Sequence, residues 1–240
     1  MSEQGPARID VRRAADRFET RTDWLMSRHS FSYGPHYDPT NTRFGSLVSS
    51  NDDVLSVGAG FPEHPHRDLE IVTWVIEGAL EHRDSSGGSA VLRPGMVGRL
   101  STGSGVRHIE TNVATGLTRY VQMWLLPDAE GPASYVTADV SAALANAKFV
   151  TVASGGRPAP VDVGCNATLL VARLPAGTST ALPAADLLHV FVATGSLALG
   201  PLGLYEGDAA RITGPYAVDV TATADAEVLV WSLRAPELAD

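Results

Sequence analysis

The sequence predicts an all-β protein built from two copies of one β unit, and three features carry that expectation. From about Phe44 onward, short apolar runs are separated by Gly, Pro, Asn or Asp, the pattern of many short strands joined by turns. Hairpin signals recur within these runs, as in the Gly-Gly stretch Asp84-SSGGS. Two segments also echo each other: Trp74-VIEGAL aligns with Phe191-VATGSL at an offset of 117 residues, and the turn Arg93-PGM with Tyr205-EGD at an offset of 112.

Residues 1–20 are charged and weakly patterned apart from a helical turn predicted near Val11-RRAADRF. They form an N-terminal segment expected either to be mobile or to pack across the other domain. The first β unit is assigned to residues 21–130. Within it Ile71-VTWVI is β-branched and aromatic, reads as a strong strand, and is closed by Gly78. The following strand, around Leu80-EHR, ends in the Asp84 hairpin, and Arg93-Pro94-Gly95-Met96 makes a further tight turn. Residues 131–147 are assigned as a linker, because Pro127-DAEGPASYVTADV has loop composition and Ser141-AALANAK suits a short helix. Residues 148–240 form the second unit.

At 240 residues the chain can bury a substantial core, and 44% hydrophobic with 19% charged residues is ordinary globular composition. No run approaches the roughly 20 apolar residues of a membrane-spanning helix. The N-terminus lacks the apolar core of a secretory signal and mixes acids with its arginines, so a cytoplasmic location is expected. Cys165, the only cysteine, excludes an intramolecular disulfide and, within Cys165-NATLLV, reads as a small core residue. A net charge of −9 opposes direct contact with nucleic acid or an anionic membrane and leaves protein partners open.

The chemistry concentrates in two runs, Gly58-AGFPEHPH and Ser101-TGSGVRHIETN. Alternation along a strand points His64 and His66 the same way, and likewise His108 and Glu110, so three imidazoles and a carboxylate converge from two strands. That donor set suits one divalent first-row transition metal far better than Mg or Ca, and Fe(II), Mn, Ni, Cu and Zn all satisfy it. The repeat offsets send His64 and His66 to Ala181 and Pro183, and His108 and Glu110 to Val220 and Ala222, so the second copy has lost the site. His29, His36, His82 and His189 read as structural, with His36 near the pocket mouth as the sharper alternative. Arg67 and Asp68 read as a surface ion pair of little weight. Strand parity offers a second reading, with Asp68 hydrogen-bonded to a ligand imidazole. Trp74, Trp124 and Trp231 are assigned to the core, Trp24 to no particular place, and Phe61 and Pro62 to the pocket wall.

The runs Gly60-FPEHPHRDLEIVTWVIEG, His82-RDSSGG and Ser101-TGSGVRHIETN, with Ser30-FSYGPHYDPTNTRFGSL upstream, resemble the pirin family of bicupins within the cupin superfamily. The match is dense in the first half and thin in the second. It implies two face-to-face jelly-roll (double-stranded β-helix) barrels and one metal, usually iron, in the N-terminal barrel. It also implies His64, His66, His108 and Glu110 as the ligands. The wider cupin pattern draws its carboxylate from the first motif, where Glu70 stands, in strand parity with His64 and His66 if no bulge intervenes; the pirin-like pattern uses Glu110 and leaves Glu70 as a neighbouring pocket residue.

Enzymatic members are similar to quercetin 2,3-dioxygenases, which open the central ring of a flavonol with O2 and release carbon monoxide. The resemblance therefore implies a metal-dependent dioxygenase whose partners are O2 and a small flavonol-like aromatic, bound as its anion, with Glu110 as ligand and catalytic base. Other members are iron-dependent binding partners of transcription regulators, so the alternative is a redox-sensing regulatory protein acting through protein partners. A bicupin covers much barrel surface within one chain, and a monomer is expected.

Overall fold

The computed structural model describes residues 7–214 and 218–235. Its first half contains β1 (Arg8–Arg12), β2 (Phe18–Arg21), β3 (Leu25–His29), β4 (Leu47–Leu55), β5 (Gly60–His66), β6 (Glu70–Glu77), β7 (Leu80–Asp84), β8 (Ser89–Leu92), β9 (Met96–Ser101), β10 (Val106–Asn112), β11 (Thr118–Leu125) and β12 (Ser134–Asp139). A one-turn helix, α1 (Ser141–Leu144), precedes β13 (Val150–Ser154), β14 (Val161–Asp162), β15 (Ala167–Leu174), β16 (Ser179–Ala181), β17 (Leu187–Leu199), β18 (Leu202–Tyr205), β19 (Ala209–Thr213) and β20 (Asp219–Leu233). The architecture is all-β, as the turn spacing predicts.

In the first half a seven-stranded sheet, β12-β9-β6-β11-β4-β3-β2, faces a four-stranded sheet, β5-β10-β7-β8. The second half repeats this order in one folded sheet. Its main path β1-β19-β17-β20-β15-β13-β14 has the layout of the larger sheet, except that the outermost β14 runs parallel to β13 where β2 runs antiparallel to β3. The pairs β16 with β20 and β17 with β18 supply the counterpart of the smaller one. Register shifts between Val192 and Leu197 bend the long β17 and β20 from one face to the other. Their counterparts in the first half are cut into separate strands by Gly78 and by the 113–117 loop.

The sequence echo marks equivalent backbone. Gly78 (φ +83) and Gly195 (φ +75) both take the left-handed conformation, and a Cβ on either would run into the backbone of the neighbouring strand, at Thr118 and Asp225 respectively. The second echo closes identically, with Met96 N–H donating to Arg93 C=O and Asp208 N–H to Tyr205 C=O, at 2.9 and 2.8 Å.

One placement differs from the sequence reading, and another follows the second of its two alternatives, an N-terminal segment packed across the other domain. Residues 134–139, assigned to a loop-like linker, form β12 and pair with β9 at the edge of the first sheet. Residues 8–12 form β1 and pair with β19 at the matching edge of the second sheet, so each barrel is completed by a segment lying outside its own unit in sequence. The N-terminal segment is tied down after β1, where Arg13 Nη1 donates to Asp208 Oδ2 at 2.7 Å and Ala14 N–H to Asp208 Oδ1 at 2.8 Å. The short helical turn predicted nearby is a 3-10 turn at Ala14–Asp16.

The two large sheets bury a continuous apolar core between them. Val72, Trp74, Val121 and Met123 from the first meet Phe191, Leu229, Trp231 and Leu233 from the second. Trp74 and Trp231 are core residues, as expected, and both indole N–H groups are satisfied across this junction, by Glu227 Oε1 at 2.7 Å and Met123 Sδ at 3.0 Å. Cys165 is free and buried in the same core. Among the described residues no helix is long and apolar enough to cross a membrane.

Candidate metal centre

Alternation on β6 and β11 sorts their side chains between the domain junction and the barrel interior. Val72, Trp74, Val121 and Met123 face the junction, whereas Ile71, Val75 and Tyr120 belong to apolar clusters of the first barrel. Thr73 and Gln122 share the inward parity and are buried. Against this wall the smaller sheet brings β5 and β10 together antiparallel, with His64 directly opposite His108. The ladder shifts register between His108 and Glu110, where Gly60 crosses so close to Glu110 C=O that a Cβ would lie 2.0 Å from it.

The imidazoles of His64, His66 and His108 form one group, with ring centroids 4.3 to 5.0 Å apart. Glu110 belongs to a second group, with His108 and His82. His108 is shared, so the four residues expected from the two runs form one continuous cluster. In it His108 and Glu110 are buried, while His64 and His66 are half-buried at the rim.

Hydrogen bonds fix the tautomers. The carbonyl of Pro62 can only accept, so His64 Nδ1, 2.8 Å away, carries the proton and Nε2 presents a lone pair. His82 Nε2 lies 2.9 Å from Asp84 Oδ2 and donates to it, which leaves His82 Nδ1 as an acceptor 3.4 Å from His108 Nδ1. His108 then presents its own lone pair at Nε2, only 2.9 Å from that of His64. A cation shared between them would satisfy both facing lone pairs. His66 Nε2 is buried with no hydrogen-bond partner, so a third nitrogen lacks one in the same place. These residues fit a bound metal ion.

Ionisation follows burial. Desolvation, reinforced by His64, lowers His66 to about 4. Desolvation together with the surrounding histidines pushes His108 far down. Both rings are therefore neutral donors at pH 7. Burial raises Glu110 to about 7; the hydrogen bond from Gln122 opposes the shift and the nearby Asp53 adds to it. Asp53 is itself raised to about 7 by burial.

Gln122 orients Glu110. Trp124 Nε1 can only donate, and it donates to Gln122 Oε1 at 3.1 Å. The amide nitrogen is thereby turned to Glu110 Oε1, at 2.7 Å. Trp124 is not core. Half-buried, it sets its ring edge-on to His66 at 4.8 Å and to Tyr33 at 5.4 Å. Phe61 lies 6.0 Å from His64 and packs on Trp24, while Pro62 supplies the carbonyl that holds His64.

Glu70 points elsewhere. Its parity with His64 and His66 is broken by a turn in which Asp68 takes φ +56, and on β6 it shares the junction parity of Val72. It accepts from Ser101 Oγ at 2.6 Å and lines a separate cavity of about 740 Å3 with Arg99, Leu126 and Asp162. Asp68 forms the exposed ion pair with Arg67, at 2.9 Å, rather than reaching an imidazole. His36 stacks on Phe18, and His29 bonds Asn51 Oδ1 at 2.9 Å and stacks on Tyr33; both stand behind the aromatic rim. His189 lies buried beside Phe31, in the second half. The sequence reading missed His82, Asp84, Gln122 and Trp124 as site neighbours. The available signal was spacing by two, His-x-Asp on β7 and Tyr-x-Gln-x-Trp on β11.

The Pirin family model matches residues 10–125, and the model for the quercetinase C-terminal cupin domain matches residues 150–233. A Mycobacterium tuberculosis protein named "Putative quercetin 2,3-dioxygenase" is 48% identical over 235 residues, covering 95% of this chain and 96% of its own. The chain belongs to the pirin family. This pirin also shares 40% identity over 124 residues with the quercetin 2,3-dioxygenase of Escherichia coli K12, covering 51% of this chain and 54% of that one. The bacterial pirin YhhW of E. coli, solved in complex with nickel(II), superposes with a TM-score of 0.87 at 30% identity, covering 95% of this chain and all of that one. The fold of this pirin is thus the bicupin expected, and its family is one of metal-binding cupins.

Proposed function

We propose that this pirin is a dioxygenase of the quercetin 2,3-dioxygenase type, cleaving a flavonol or similar enolic aromatic with O2 at a mononuclear centre held by His64, His66, His108 and Glu110. The observation that carries the reading is the convergence of the Nε2 atoms of His64 and His108, 2.9 Å apart, with the unpartnered Nε2 of His66, beside the buried carboxyl of Glu110. When bound, Fe(II), or another divalent first-row ion in its place, supplies a Lewis acid that acidifies the substrate's enolic hydroxyl.

Glu110, buried and held through Oε1 by Gln122, accepts that proton, the part of a general base positioned beside the reacting hydroxyl. Trp124, Tyr33 and Phe61 bring aromatic faces and edges to the cluster and suit a planar polyphenol. The names carried by the mycobacterial and E. coli relatives support the same substrate class.

The test is oxygen uptake by Fe(II)-reconstituted protein given quercetin, beside a chelator-treated control. Chelator-sensitive uptake that vanishes in His64→Ala and Glu110→Ala is expected. Full activity in either variant, or no uptake by protein verified to hold its metal, overturns the reading.

A further inference from the structure

We propose that His82 and Asp84 are positioning residues for the metal centre, a relay that locks His108 in the tautomer able to bind the metal. The inference rests on the metal-centre reading and adds to it residues that touch neither substrate nor metal.

The relay begins in the β7–β8 hairpin. Asp84 Oδ1 accepts from Ser86 N–H at 2.8 Å, Ser86 Oγ at 2.5 Å and Gly88 N–H at 3.1 Å, which fixes the carboxylate in the turn. A side chain on Gly88 is excluded, since its Cβ would lie 2.2 Å from Asp84 Oδ2 and 2.5 Å from the Tyr135 side chain. Oδ2 is thereby left for His82 Nε2, at 2.9 Å. The Asp84 side chain is fully buried and that of His82 nearly so.

The His82 ring is clamped flat. Tyr135, on β12, stacks on it at 3.8 Å between centroids with an interplanar angle of 14°. With Nε2 donating to Asp84, the Nδ1 lone pair of His82 faces His108 Nδ1 at 3.4 Å, a long contact whose only bonded form has His108 donating. His108 Nε2 is then the free nitrogen turned to His64. One carboxylate in a surface hairpin thus decides, two rings away, which nitrogen of His108 meets the metal. Partners of this kind fix the ring orientation and tautomer of ligating histidines, and their loss costs about 10- to 100-fold in metal affinity.

Asp84→Asn tests the relay with little disturbance of the turn. The asparagine Oδ1 keeps the acceptor bonds to Ser86 and Gly88, while Nδ2 replaces Oδ2 and donates to His82 Nε2. His82 must then carry its proton on Nδ1 and can no longer accept from His108. His82→Phe is the second variant, keeping the stack on Tyr135 and removing the acceptor. Arg83→Gln, on the outward parity of the same strand, is the control.

Two readouts apply: the protonated ring nitrogens in metal-free protein by 15N NMR, and Ni(II) affinity by chelator competition. In wild type His82 should be protonated at Nε2 and His108 at Nδ1. Asp84→Asn should move the His82 proton to Nδ1, and both variants should bind Ni(II) about 10- to 100-fold more weakly, with Arg83→Gln unchanged. The relay is overturned by a wild-type His82 protonated at Nδ1, or by both variants binding within about twofold of wild type. It is equally overturned by a second Ni(II) equivalent that disappears in His82→Phe, which would make His82 a ligand. Failure of wild type to bind Ni(II) would count against the centre itself, and the ring-nitrogen measurement would still decide the relay.

Discussion

The two barrels of this pirin share a strand order and differ in what fills them. In the first, Thr73 pairs with Gln122 across β6 and β11; in the second, Val190 pairs with Val230 across β17 and β20 at the equivalent place. Where the first barrel carries His82, the repeat offset gives Leu199, and for His108 and Glu110 it gives Val220 and Ala222. All of these replacements are buried in one aliphatic cluster. The first barrel instead has two small apolar clusters, one around Leu55 and Tyr120 and one around Ile71 and Leu100, with the histidines and Glu110 lying outside both. The lesson is a division of labour. One interior is given over to apolar packing, and its partner carries a cluster of buried polar groups that a packed core does not need.

The comparison breaks first at its polar centre. His108→Ala removes the residue shared by both groups of donors and should abolish Ni(II) binding and quercetin-dependent oxygen uptake, a loss of at least about 100-fold, read by chelator competition and an oxygen electrode. The reverse graft tests the apolar barrel. Ala222→Glu places an unpaired carboxylate among Val220, Leu197 and Leu199, and urea unfolding should report a loss of about 3–5 kcal/mol. Making the first barrel resemble the second by Gln122→Leu strips Glu110 and Trp124 of their shared partner. In metal-free protein that should cost about 1–3 kcal/mol by the same measurement.

The pH dependence of the metal-free protein should also trace to the first barrel. Glu110, raised to about 7, favours its protonated form in the fold, so stability is lost as the pH rises from 4.5 through 7. His66, lowered to about 4, favours the neutral ring, so stability is lost as the pH falls from 6.5 through 4. Glu110→Gln should flatten the alkaline limb, leaving the share contributed by Asp53, and should not alter the acid limb. At the small end, Arg67→Ala breaks only the exposed pair with Asp68 and should change stability by less than about 0.5 kcal/mol, with Ni(II) affinity intact.

Much of this was legible in the order of residues. Period-two alternation is local, so His64 with His66 and His108 with Glu110 could be read as same-face pairs before any fold was known. Left-handed glycines tolerate no other residue cheaply, so Gly78 and Gly195 preserved the repeat after the interiors diverged. The family resemblance joined the two runs into one site. Parity fails where a turn intervenes, as it did between His66 and Glu70, because one residue at φ +56 resets which face the next strand presents.

The rest was decided by pairing between distant segments. Register across β7 and β10 brings His82 to Glu110 and Asp84 to His108. Edge pairing turns the loop-like residues 134–139 into the strand that carries Tyr135 over His82. Trp124 became a rim residue because its neighbours in space, unlike those in sequence, are Tyr33 and His66. The sequence by itself determined the β class, the duplication and the candidate donor residues, all properties of spacing along one strand or turn. Only the tertiary structure decided the tautomers, the orienting partners and the fate of Glu70, because a hydrogen bond between strands exists only once their register is set.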